Sequence, residues 1–137
     1  MIMPKMLTAG LAFALMLVLA PSARATDAEE QAERAEAAKF VKTLQALVAG
    51  GQKQELAKLV GYPLNVDGRQ RVKNEAAFIK NYDAIITKSV VQCAREHDST
   101  EEVFSRNGQY MVGWGCIWFS PAEKGGMTID AINTSSE

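Results

Sequence analysis

The chain has 137 residues, with 15 basic residues against 16 acidic ones and a formal net charge of −1. That length suits one domain with one core, and with neither a basic stripe nor a basic tail the chain is not expected to hold nucleic acid or an anionic membrane surface. Two cysteines and one histidine are present, so thiol or imidazole chemistry rests on Cys93, Cys116 and His97.

The first 25 residues read as a secretory signal peptide. Lys5 precedes an apolar run from Leu7 to Ala20, followed by Pro21 and the small-x-small triplet Ala23-Arg24-Ala25. The run is about 14 residues, short of the roughly 20 that span a bilayer. No cysteine follows it, which argues against a lipid anchor. The remaining domain is residues 26–137. Lys5 and Arg24 leave with the leader, so 13 of the 15 basic residues face 16 acidic ones. The expectation is a mildly acidic periplasmic or secreted protein with no membrane attachment after cleavage.

A first helix is expected from Thr26 to Ala49. Its first half is rich in Ala, Glu and Arg, and Phe40, Leu44, Leu47 and Val48 then share one face. Gly50-Gly51 ends it. A short second helix follows, with Leu56, Leu59 and Val60 on one face and Gly61 closing it. Leu64 and Val66 alternate around Asn65 as in a half-buried strand, and Asp67-Gly68 signals a hairpin back through Arg69 to Val72. Pro63 lacks a ladder donor, which places this hairpin at a sheet edge.

Asn74 caps a third helix, with Glu75 at the positive end of its dipole and Phe78, Tyr82, Ile85 and Ile86 on its apolar face. Thr87 caps a fourth, on which Val90, Cys93, Ala94 and His97 share a face. The rest is β. Strands around Glu102–Arg106 and Gln109–Phe119 flank an Asn107-Gly108 turn, and a turn at Lys124-Gly125-Gly126 leads into Met127–Asn133. Three sequential strands with tight turns make an antiparallel meander. The class is α+β, with N-terminal helices packed on one face of a curved antiparallel sheet.

The stretch Gln109–Phe119 reads as one strand of about 35 Å, nearly twice the usual length. Gly113 and Gly115 would let it bend. Strict alternation puts Tyr110, Val112, Trp114, Cys116 and Trp118 toward the helices, and Met111, Gly113, Gly115, Ile117 and Phe119 on the outside. That outer face offers a homodimer surface through Met111, Ile117 and Phe119. Cys93 and Cys116 then face the same core, and in an exported chain they are expected to form a disulfide. The competing readings are a zinc site of Cys93, His97, Cys116 and Asp98, or a Cys-His nucleophile. Neither has a spacing signature such as CxxC or HExxH, and an oxidising compartment favours the bridge. No metal, cofactor or catalytic residue is therefore expected.

Three segments carry a resemblance: FVKTLQALVAGGQKQELAKLVGYPLNV, FIKNYDAIITKSVVQCA and YMVGWGCIWF. Across nearly all of residues 38–119 they resemble small secreted bacterial proteins of the NTF2-like or cystatin-like α+β superfamily. The resemblance implies a curved sheet with helices in its hollow and carries no catalytic residue across. Folds of that type often hold a pocket between sheet and helices, in which their enzymes place a Tyr with an Asp or His, so Tyr82-Asp83 is worth naming. Asp83 lies about 100° round its helix from core-facing Tyr82, toward solvent. Asp130 faces out if Ile129 faces in. Tyr62, Tyr82, Tyr110, Trp114 and Trp118 are the candidate lining for a small apolar ligand, against a filled aromatic core. The functional expectation is a non-enzymatic binder of a protein partner or small ligand. The alternative is a small enzyme or metal-binding protein using a pocket between sheet and helices.

Overall fold

A computed structural model describes residues 22–98 and 103–135. The expected signal peptide lies outside the described residues, except that Ser22–Ala25 form the first turn of helix α1 (Ser22–Ala49). The buried apolar stripe of α1 lies in its second half. Ala37, Phe40, Val41, Leu44 and Val48 are buried along one stripe, whereas the described side chains from Asp27 to Glu36 are exposed apart from half-buried Glu33. Gly51, at φ +62°, ends the helix. Its N–H donates to Val48 at 3.2 Å, and that of Gln52 to Leu47 at 3.0 Å, the two bonds of a Schellman cap.

Helix α2 (Lys53–Ala57) leads into β1 (Val60–Val66), which turns through Asp67-Gly68 into β2 (Arg69–Val72). Both turn residues have positive φ, +53° and +80°, the geometry that suits a two-residue hairpin. Helices α3 (Glu75–Lys80), α4 (Tyr82–Ile85) and α5 (Lys88–Glu96) follow. The caps are as the sequence suggests. Asn74 accepts from the Ala77 N–H at 2.9 Å, and Thr87 from that of Val90 at 3.3 Å. The expected third helix, however, divides at Asn81, whose side chain donates to the Ala77 carbonyl at 2.9 Å.

Strands β3 (Ser105–Arg106), β4 (Gln109–Val112), β5 (Ile117–Pro121) and β6 (Met127–Ile132) complete one six-stranded sheet in the order β2-β1-β6-β5-β4-β3. The sheet is mixed, not antiparallel throughout: β1 lies parallel to β6, joining the early hairpin to the late meander. The class is α+β, and the sheet is open. The helices cover one face. Phe40 of α1 meets Phe119 at 4.9 Å between ring centroids, and Tyr110 stacks on Phe119 at 5.5 Å. The inner face carries Leu64, Val66, Val112, Ile117, Phe119, Ile129 and Ile132, all buried.

Several expectations change. Gln109–Phe119 is two antiparallel strands joined by a reversal at Gly113–Cys116, not one bent strand; Val112 faces Ile117 and Tyr110 faces Phe119. Gly113 and Gly115 have φ of +53° and +101°, conformations that glycine adopts without a Cβ penalty. The Gly115 N–H closes the turn onto the Val112 carbonyl at 2.9 Å. The reversal changes the parity of everything after it. Ile117 and Phe119 point into the core with no measurable exposure, so of the three residues expected on the outer face only Met111 lies there. Trp118 pairs across strands with Met111 on the opposite face.

Gly61 does not close a helix. It lies in β1, where an added Cβ would come within 2.8 Å of the Thr128 hydroxyl, so it admits close approach of β6. Pro63 is on a strand flanked by both β2 and β6, not on an edge strand. The sheet tolerates it because register slips on either side, between Val60 and Asn65 against β6 and between Leu64 and Asn65 against β2, and a missing donor sits most easily at such an irregularity.

Candidate functional site

Cys93 on α5 and Cys116 at the end of the β4–β5 turn have their sulfurs at bonding distance, with Cα atoms 6.4 Å apart. Both residues are buried. The helix chain passes so near the turn that a Cβ on Gly113 would lie 2.6 Å from the Cys93 sulfur. His97, the C-terminal cap residue of α5, belongs to the same knot. Its Nδ1 accepts from the Gly113 N–H at 2.8 Å. Gln45 of α1 donates to the carbonyls of Ala94 at 2.9 Å and His97 at 2.8 Å, tying three elements together. The disulfide uses both thiols that a zinc site or a nucleophilic pair would need. Among the described residues, no group of three or more His, Cys, Asp or Glu side chains is placed to hold a metal ion.

The five aromatic residues expected to line one pocket are dispersed. Tyr62 is half-buried and donates to the Ala57 carbonyl at 2.8 Å; burial, with the Glu75 charge, pushes its phenol up to about 12. Tyr82 is buried edge-on to Phe78 at 5.9 Å, and burial, with Asp83, raises its phenol. Tyr110 is buried and donates to Glu33 at 2.8 Å; burial, then that bond and the carboxylate charge, push it to about 12. Trp114, at the tip of the β4–β5 turn, is 41% exposed, and Trp118 lies on the outer face. The tryptophan side of this segment therefore does not look at the helices. The centre of the space between sheet and helices is packed with Phe40, Leu44, Phe78, Phe119 and the inner-face aliphatics, and a pocket of about 270 Å³ lies at its edge between β2 and α4, lined by Val66, Arg71, Val72, Asn81, Ala84 and Ile85. Asp83 is exposed, as its angle on the helix suggests.

The face opposite the described helices has its own organisation. Asn65, Ala131, Trp118 and Met111 stand opposite one another across β1, β6, β5 and β4, a span of three interstrand spacings, about 14 Å. A register slip beside Trp118 leaves Asp130 and Ala131 both outside while Ile129 and Ile132 stay inside. Asp130 accepts from the Ser120 hydroxyl at 2.6 Å and from the Gln109 amide at 3.5 Å. Gly115 keeps this face open at its end. An added Cβ there would touch the Trp118 indole nitrogen at 3.4 Å and the Met111 sulfur at 3.6 Å.

Around Trp118 lies a trough of about 490 Å³, with Asn65, Arg106, Asn107, Gln109 and Asn133 on its walls and Ala131 on its floor. The Gly68 turn and the Asn107 turn, from hairpins at opposite ends of the sheet, both border it. Asn133 is fixed by donating to the Gly115 carbonyl at 2.8 Å. Among the described residues, no ion pair engages Arg106.

No family model, curated protein or solved structure matches this chain.

The sequence reading singles out Trp118 but none of the amides around it. Their signal is weak: single Asn and Gln residues at outward positions and turns look like ordinary solvated surface. What assembles them is strand order, which brings positions 65, 109, 118 and 133 onto one face.

Proposed function

We propose that this chain is an exported, non-enzymatic binding protein of NTF2-like or cystatin-like type, and that its binding face is the outer face of the sheet, at the trough around Trp118. Trp118, half-buried in a polar trough on the face that none of the described helices covers, carries this reading. An apolar body among a few convergent polar groups in a concavity is the usual composition of a ligand site. The side chains considered for chemistry are placed otherwise: both thiols are in the disulfide, His97 Nδ1 holds a backbone N–H, and Asp83 stands in solvent away from the trough. Export is supported by the leader-like residues 1–25 and by a buried disulfide, which belongs to an oxidising compartment.

A fragment screen read by amide NMR tests the binding face. Hits should cluster on Asn65, Trp118 and Ala131; clustering at α1 and α5 would remove the proposal. Export is tested by mass spectrometry of the chain expressed with its own leader in a Gram-negative host. The mature N-terminus should fall near Thr26, in the periplasmic fraction or medium.

A further inference from the structure

The geometry points to a short oligosaccharide as the occupant of the outer trough, an inference that rests on the reading of that face as the binding face. Trp118 offers a flat apolar surface, and the C–H face of a sugar ring is its natural complement. Asn65, Asn107 and Gln109 offer primary amides, each of which both donates and accepts. Sugar hydroxyls also do both, so vicinal hydroxyls can satisfy a ring of amides. A purely apolar ligand would strip water from those amides and return nothing.

An extended peptide fits less well. Peptides that pair with a sheet need an unpaired strand edge, and the trough lies on the face of β1, β6, β5 and β4, each of which has a strand on both sides. Nucleic acid is disfavoured by the acidic balance of the domain. The trough crosses about 14 Å of sheet and is approached at its two ends by the Gly68 and Asn107 turns, which suits a short saccharide rather than a single ring. Arg106 at the rim has no carboxylate partner among the described residues. It makes a sugar bearing a carboxylate the better ligand, because guanidinium and carboxylate match as a charge-assisted pair.

The test is an NMR titration of residues 26–137, disulfide intact, with chitotriose, cellotriose and trigalacturonate. Triglutamate and decanoate serve as the peptide and apolar probes. Saturable shifts are expected at the Trp118 indole N–H and the Asn65 and Gln109 side-chain amides with at least one trisaccharide, and most strongly with trigalacturonate. Trp118→Ala should weaken binding by about tenfold or more, the scale of a lost aromatic contact. Asn65→Ala should weaken it by about threefold with melting temperature unchanged, on the scale of one hydrogen bond; this guards against a Trp118 variant that merely misfolds. Shifts in the trough from triglutamate or decanoate, with none from any saccharide, would overturn the saccharide assignment and leave the binding face standing. If no probe moves a resonance on the outer face, both readings fall.

Discussion

Gly113 shows at the scale of one residue why the chain spells glycine where it does. Its φ of +53° asks for glycine, and its missing side chain leaves room for the Cys93 sulfur. Gly51 has a similar φ, +62°, with nothing within 4 Å of the place a Cβ would take. The pair separates strain from crowding. Gly51→Ala should cost about 1 kcal/mol, the left-handed penalty alone. Gly113→Ala adds a contact far inside van der Waals distance and should cost about 3 kcal/mol or more. Chemical denaturation of the two variants measures the difference; equal losses would show that the turn can move off the helix. At this scale much was legible. Asn74 and Thr87 announce helix starts because a capping side chain acts on a backbone N–H three residues away, a wholly local matter. Gly61 was misread because its reason, the approach of Thr128, lies on a strand that arrives much later in the chain.

Among the elements, the β4–β5 hairpin departs most from its sequence reading, and the cause is physical. Tyr110 through Phe119 is dense in aromatic and β-branched residues, which favour strand, and its reversal uses Gly113-Trp114-Gly115-Cys116 rather than an Asn-Gly pair. Asp67-Gly68 and Asn107-Gly108 were legible because two-residue turns demand those residue types. A four-residue reversal makes no such demand. The error then spread, since an undetected turn inverts the facing of every later side chain: Ile117 and Phe119 were placed outside, and Trp118 inside. Cys116 kept its inward placement because the turn itself folds toward α5, so the disulfide was legible even though the strand that carried it was not. The bridge closes 23 residues of separation, worth roughly 3 kcal/mol in the chain-entropy account. Cys93→Ala/Cys116→Ala, or a reducing buffer, should lower the melting temperature by about 10 °C or more in a domain of this size. A melting curve indifferent to reductant would mean that Gln45 and His97 hold α5 to the turn without help.

The whole molecule is held together by connections between its elements, and three of them titrate. At one end, Asp67 accepts from the Thr134 N–H and hydroxyl, each at 2.8 Å, tying the β1–β2 turn to the segment after β6. The backbone N–H chiefly, then the hydroxyl and the Arg71 charge, hold its carboxyl below the usual range against a smaller opposing effect of burial. A lowered folded-state value means that the contribution is present above the unfolded value of about 3.9 and fades as pH falls through the folded one. Asp67→Asn keeps a residue that tolerates the turn's positive φ and should flatten the acid limb of the stability profile. At the other end, Tyr110 joins the sheet to α1 through Glu33, and Tyr62 joins β1 to the end of α2. Both phenols sit at about 12 in the folded chain, above the unfolded value of about 10. Between those values the folded state holds more protons than the unfolded one, so stability declines as pH rises through that window and is complete below it. Tyr62→Phe/Tyr110→Phe should lower stability by about 1 kcal/mol per lost hydrogen bond at neutral pH, yet decline less steeply from pH 10 to 12. Urea titrations at pH 7, 10, 11 and 12 read both effects. Parallel decline in variant and parent would place the alkaline weakness elsewhere and sever the proposed dependence of the α1–sheet contact on the Tyr110 proton.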